Sequence, residues 1–242
     1  MKKALVSSVM ASAALISYDS QAVTLSDDFE LIANIGAYSE YAMRGISYSQ
    51  RNPVAQGYLT VAHKSGLYAG MWGSNVDIAG VDANYEADYY AGYIWQPTED
   101  ISLDVGYIKY TYPKTSAMNI SETYAVLTAY GFKVGSYYSN DYLGDQTTTY
   151  NYVGYGFNLP LESKLDVRYG ILDLKDPAFI SSSGNTKDSY HEWEVKLSKT
   201  AFQVDWAVSY IDTNLSETEC YSFMGDKESC SARVLLGVSK TF

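Results

Sequence analysis

Residues 202–210 read Phe202-Gln203-Val204-Asp205-Trp206-Ala207-Val208-Ser209-Tyr210, with five large apolar or aromatic side chains alternating with four small or polar ones. Successive side chains on an extended strand point to opposite faces, whereas a helical repeat of 3.6 residues would scatter these five around the axis. The stretch is therefore a strand with one wholly apolar face. The same pattern recurs in Leu165, Val167, Tyr169 and Ile171 against Asp166, Arg168 and Gly170. It returns in Ala232, Val234, Leu236 and Val238 against Arg233, Gly237, Ser239 and Thr241.

Read outward from there, the period of two predicts twelve strands, at 29–46, 54–64, 67–78, 84–96, 101–112, 120–130, 132–142, 148–158, 164–174, 188–198, 201–213 and 231–242. Every second connection is short: Ser65-Gly66, 97–100, Tyr130-Gly131, 159–163 and Lys199-Thr200. Those between are mostly longer and polar, such as 175–187 and 214–229. An antiparallel meander of this kind gathers its tight turns at one end, as outer-membrane barrels do at their periplasmic rim. Trp95, Phe132, Phe157, Phe202 and Phe242 fall beside those turns on the apolar face and form a candidate periplasmic aromatic girdle.

Charge decides which face is wet. The polar face carries the acids Glu40, Glu86, Asp88, Asp104, Asp166, Glu192, Glu194 and Asp205. Its bases are Arg44, Lys133, Arg168, Lys196 and Arg233. The opposite face is nearly free of charge, with Asp77, Lys109 and Lys240 near strand ends. Eight strands make a ring whose interior side chains can fill; twelve make a wider one. The apolar face must then look outward into lipid, and only a closed ring satisfies every backbone donor and acceptor there. The expected fold is all-β: a transmembrane antiparallel up-and-down barrel with a polar, glycine-rich, hydrated lumen lined by the thirteen charged residues above. With eight acids to five bases, that lumen is expected to favour cations mildly.

The start of the chain agrees with this destination. Lys2 and Lys3 precede an apolar stretch of residues 4–16, and Ser20-Gln21-Ala22 offers a small-x-Ala cleavage site. Residues 1–22 are thus expected to be a signal peptide and 23–242 a single barrel domain. The apolar stretch is well short of the roughly 20 residues a membrane helix needs. Cys220 and Cys230 stand ten positions apart in a polar segment, where an oxidising periplasm favours a disulfide. A formal charge of -11 excludes a nucleic-acid partner that must be held by a basic face.

Tyr41-Ala42-Met43-Arg44-Gly45-Ile46-Ser47, Pro53, Gln56-Gly57, Ser65-Gly66-Leu67-Tyr68-Ala69-Gly70, Ser74-Asn75-Val76-Asp77 and Glu86-Ala87-Asp88-Tyr89-Tyr90-Ala91-Gly92-Tyr93 together resemble the proteobacterial TorF-type porin family. These motifs cover the first three hairpins, and the general pattern runs on to Phe242. The resemblance implies an outer-membrane porin and assigns no ligand residues. Phe242 also resembles the terminal aromatic read by the barrel-assembly machinery, although Lys240 stands where an apolar residue is usual.

Three functions remain open on these residues. A passive channel for small hydrophilic solutes or ions is the leading expectation, in the outer membrane of a Gram-negative bacterium and in contact with its lipid. The alternative is a plugged barrel that anchors or binds through its loops, with 214–229 the longest contact surface. In both, Arg44 with Glu86 and Asp88 forms a charged cluster across the lumen, either selecting solutes or sealing the barrel. An outer-membrane hydrolase comes third: His63 and Ser65 have a suitable spacing but lie in a tight turn at the wrong rim. A protease built on Glu192, Glu194 and Asp205 yields to a lumenal salt network with Lys196. No catalytic residue, cofactor or metal site is expected, since 226–228 is too sparse for calcium and no phosphate-binding glycine motif occurs.

Overall fold

The computed structural model describes residues 22–242, so the expected signal peptide, apart from Ala22, lies outside the described residues. Twelve long strands follow one another: β1 Phe29–Tyr38, β2 Val54–His63, β3 Leu67–Asn75, β4 Tyr85–Trp95, β5 Ile101–Thr111 and β6 Ile120–Ala129. The second half comprises β7 Phe132–Tyr142, β8 Gln146–Leu159, β9 Ser163–Leu174, β10 Ser189–Ala201, β11 Val204–Thr213 and β12 Arg233–Thr241. Each pairs antiparallel with the next, and β12 returns to β1 with Gly237 opposite Tyr38 and Thr241 opposite Asn34. The sheet is a closed twelve-stranded barrel. Among the described residues no helix is long and apolar enough to cross a membrane.

The outer wall is greasy. Leu59, Val61, Met71, Val105, Leu127, Val134, Val153, Leu197, Val208 and Leu236 are all exposed on it. A continuous apolar belt of that size is costly against water, at about 25 cal/mol per Å2, and costs nothing against hydrocarbon. Trp95, Phe132, Phe157 and Phe242 lie exposed near the short-turn rim. Phe202 departs from its expected place. It occupies the β10–β11 turn with Gln203, at φ 57° and 63°, and is 93% exposed. Two adjacent positive φ values make a turn whose twist matches the strands it joins, so the apolar alternation overran the strand end by two residues.

A larger departure concerns the first strand. It stops at Tyr38 rather than running to residue 46, and residues 39–53 leave the wall and fold into the ring. Residues 40–49 are buried without exception. Glu40 and Arg44 therefore sit on this inserted segment and not on a strand of the wall. A twelve-stranded ring encloses more space than its own side chains occupy, and the segment takes up that space at the long-loop end.

Tyrosines take up much of the remainder, so the lumen is more filled than the expected hydrated interior. Tyr68, Tyr90, Tyr110, Tyr124, Tyr137, Tyr150 and Tyr190 all point inward and are buried. Several lie flat across a glycine of a neighbouring strand, as Tyr124 does on Gly106 and Tyr68 on Gly92. A Cβ added at Gly170 would stand 2.6 Å from both the Tyr150 hydroxyl and Glu192 Oε1. Gly170→Ala is accordingly expected to destabilise the barrel by about 1–3 kcal/mol through overpacking. Urea unfolding of the protein refolded into lipid vesicles measures this; an unchanged midpoint would mean the tyrosine does not need that space.

Candidate functional site: a hairpin inside the barrel

The inserted segment is a small hairpin of its own, pairing Ala42–Met43 with Ile46–Ser47. Its tip is Arg44-Gly45, with φ 52° and 80°. A two-residue turn with both φ values positive usually takes glycine or asparagine. An arginine there costs about 1 kcal/mol or more, which its surroundings offset.

Those surroundings are the polar centre of the lumen. Arg44 donates through both terminal nitrogens to Glu122 of β6, at 2.8 and 2.7 Å. Its guanidinium lies 4.4 Å from the Tyr150 ring centroid and 5.3 Å from that of Tyr137. Tyr110 donates its hydroxyl to Glu122 Oε2 at 2.9 Å, and Tyr190 donates to the Arg44 carbonyl at 2.9 Å. Glu122 is 1% exposed and Arg44 4%. A buried pair of this kind survives desolvation because the geometry is bidentate and the remaining lone pairs are occupied.

The other charged residues proposed from the sequence form further networks around the hairpin. At its base, Arg233 Nε donates to Glu40 at 2.8 Å, and Arg233 Nη1 reaches the tip to donate to the Gly45 carbonyl at 3.1 Å. Arg168 bridges Glu192 at 3.0 Å and Glu194 at 3.1 Å, and Tyr150 donates to Glu192 at 2.5 Å. Glu86 and Asp88 occupy alternate inward positions of β4; Tyr41 of the hairpin donates to Glu86 at 3.2 Å. Lower in the lumen Asp104 accepts from Tyr68 at 2.6 Å, Asp205 accepts from Thr200 at 2.6 Å, and Asp166 pairs with Lys164 at 2.7 Å. Lys133 and Lys196 face inward from β7 and β10. The partner of Arg44 is thus Glu122, which the sequence reading did not select, and not Glu86 or Asp88. The signal was present: Ile120, Glu122, Tyr124 and Val126 share the inward parity of β6.

A roof of loops closes the long-loop end over the hairpin. Helix α1, Glu217–Met224, begins with Ser216, whose hydroxyl accepts from the Glu219 N–H while the Glu219 carboxylate accepts from the Ser216 N–H. Burial by itself would raise the Glu219 carboxyl. Lys187 at 2.6 Å and the two donors of Ser216 outweigh it and hold the group below the ordinary carboxylate range. Cys220 and Cys230 form a disulfide, both buried. The stapled loop grips the hairpin's returning limb: Ser47 N–H donates to the Ser229 carbonyl at 2.8 Å, and Arg51 donates to the Glu228 carbonyl and the Ser231 hydroxyl, each at 2.5 Å. Asp77 holds the same limb from the β3–β4 loop, accepting from Gln50 at 2.7 Å and Asn52 at 3.1 Å. The contact surface expected of 214–229 is in part committed to this roof.

Removing one member of a buried ion pair leaves the other desolvated, typically at a cost of about 3 kcal/mol or more. Glu122→Gln is expected to shift the hairpin outward and enlarge its opened population by roughly 100-fold on that basis. Trypsin cleavage at Arg44 and Arg51 in the detergent-solubilised protein reads this directly. Equal cleavage rates in variant and wild type would show that the pair does not hold the hairpin.

Comparisons with known proteins agree with this architecture. A NanC porin structure superposes with a TM-score of 0.50 at 14% identity, over 87% of this chain and 98% of that one. A structure from work on the in-meso crystallization of membrane proteins gives a TM-score of 0.53 at 9% identity, over 88% and 83%. A KdgM porin in complex with disordered oligogalacturonate gives 0.49 at 12% identity, over 88% and 99%. At these identities the likeness is one of fold: the chain has the barrel architecture of outer-membrane porins. Among curated protein sequences none matches. Residues 22–242 match the model of a family described as a bacterial protein of unknown function, Gcw_chp, and the chain belongs to that family.

Proposed function

We propose that this protein is a channel for small hydrophilic solutes or ions in the outer membrane of a Gram-negative bacterium, shut in the state described by its own inserted hairpin. The greasy outer wall, the aromatic residues at the short-turn rim and the porin-like fold support that location. The resemblance of 41–47 and the later motifs to TorF-type porins supports it too. Phe242, whose N–H donates to the Ala33 carbonyl at 2.7 Å, is the residue that the barrel-assembly machinery would recognise.

One observation carries the channel reading over the anchor reading. The hairpin meets the barrel wall mainly through side chains: the ion pairs of Arg44 and of Glu40 with Arg233, and the hydroxyls of Tyr41 and Tyr190. Its own ladder is confined to two residue pairs. It can leave the lumen without breaking any strand pairing of the ring, and what it leaves behind is a wall bearing charged groups and hydroxyls suited to a hydrated solute. Tyr41, Met43, Ile46 and Tyr48 of the hairpin also pack into the buried apolar cluster, with the Tyr41 ring 5.2 Å from that of Trp72, and this contact opposes its release.

The anchor reading is supported by that apolar packing and by the disulfide-stapled roof. Bilayer conductance separates the two. Wild-type protein is expected to give rare, small current steps. A variant with residues 40–52 replaced by a short glycine-serine linker is expected to give frequent and larger ones. Reduction of Cys220–Cys230 should move the wild type toward the variant by releasing Ser47 and Arg51. Silence from all three preparations would favour the anchor.

A further inference from the structure

The sequence tally of eight acids to five bases predicts a lumen that favours cations, but pairing redistributes that charge unevenly. Near the hairpin each arginine meets carboxylates, Arg44 with Glu122, Arg233 with Glu40, Arg168 with Glu192 and Glu194, while the buried Glu86 and Asp88 have no ion-pair partner among the described residues. Toward the short turns, on β7 to β10, bases outnumber acids. Lys133, Lys164 and Lys196 all face the lumen there, and Lys164 alone is in ion-pair contact with a carboxylate, that of Asp166. By register Lys133 stands opposite Gly154, one strand from Arg168, and Lys196 stands opposite Asp166. Three ammonium groups thus share this part of the wall with Asp166, while the neighbouring Glu192 and Glu194 are bound by Arg168.

The shape of that wall is equally uneven. The strand between the lysines, β8, presents Gly154 and Gly156 at its inward positions there, Gly154 opposite Lys133 on one side and Arg168 on the other. Atoms near a Cβ built at Gly154 are the Val167 carbonyl and the Arg168 Cα and Cβ, all of the adjoining strand. No tyrosine covers this glycine, unlike those farther up the barrel. At Gly156 the Lys164 side chain and Asp166 Oδ1 come within 3.2 Å of a built Cβ, so the open space lies at Gly154, between Lys133 and Arg168. Hydroxyls stand beside the ammonium groups, Thr128 opposite Lys133 and Ser198 opposite Lys164. A separate cavity of about 40 Å3, lined by Lys196, Arg168 and also Glu194, opens on the β11–β12 side beneath the hairpin tip. One water needs roughly 10–15 Å3 on the same measure.

Like charges facing one another in a narrow space repel, and such a cluster is relieved when an anion enters it. We propose that Lys133, Lys164 and Lys196, around the open position at Gly154, form a binding ledge for an oxyanion, a carboxylate or phosphate group carried by the solute. The ledge sets the substrate class of the channel and rests on that reading for the solute's route in. It reverses the cation preference expected from composition.

The test is calorimetric titration of the full, detergent-solubilised chain with inorganic phosphate at low salt, with chloride at equal ionic strength as the control for diffuse attraction. Saturable phosphate binding, weakened about tenfold or more in Lys133→Gln/Lys196→Gln and retained in Lys133→Arg/Lys196→Arg, is the expected result. No saturable heat from wild type, equal response to chloride, or a glutamine variant within twofold of wild type would overturn the proposal. Because the arginine pair keeps both charges, it separates loss of the site from loss of folding. The same variants, made in the linker-replaced protein, are then read by reversal potential: anion preference is expected, and is lost with the glutamines. Steps with cation preference that the lysine changes leave untouched would overturn the ledge and leave the channel standing. Silence with intact phosphate binding would do the opposite.

Discussion

A peptide group surrounded by hydrocarbon has no water to bond, and the molecule is organised around that fact. The seam between β12 and β1 converts a sheet with two raw edges into a ring with none. Closing the ring with twelve strands creates a second problem, an interior wider than the wall's own side chains can occupy. Two solutions coexist in the lumen. Tyrosines lie across glycines of adjacent strands and thicken the wall from within, and one interstrand connection turns inward and fills the middle.

The inward connection explains why the central arginines are each met by a carboxylate. A bare hydrated bore can leave its carboxylates to water, but a bore occupied by protein cannot, since an unpaired ion shut away from solvent is costly. Arg44 brings its cation to Glu122, and the neighbouring rings of Tyr137 and Tyr150 lie against the guanidinium. Arg233 does the same for Glu40 at the hairpin's base. Lys133 and Lys196, which the hairpin does not reach, make no ion pair among the described residues.

The wall was legible in the sequence because its signal is local. Alternation in 204–210 or 165–171 states which side chains share a face, and the turns state where the strands reverse; β7 was bounded to the residue. The inserted hairpin was not legible for the same reason. Residues 39–47 alternate too, so Glu40 and Arg44 read as positions on a lengthening strand, and Arg44-Gly45 does not have the composition expected of a tight turn. Parity assigned Glu86, Asp88, Asp104 and Arg168 to the inside but is silent on what lies across the lumen. Glu122 became visible as a partner only once an arginine from another part of the chain was seen to reach it. Tyrosine misled in a different way: a residue with an apolar ring and a polar tip fits both faces, so its abundance gave no hint that the interior would be packed with it.

The stopper is a stretch of backbone strung between two adjacent staves, β1 and β2, and this sets the kinetics of any excursion it makes. A separate subunit that blocked the bore could diffuse away, and resealing would then depend on its concentration. A tethered one cannot be lost, so resealing is a first-order event at a local concentration fixed by fifteen residues of slack. Each barrel therefore carries its own clock, indifferent to how many copies share the membrane.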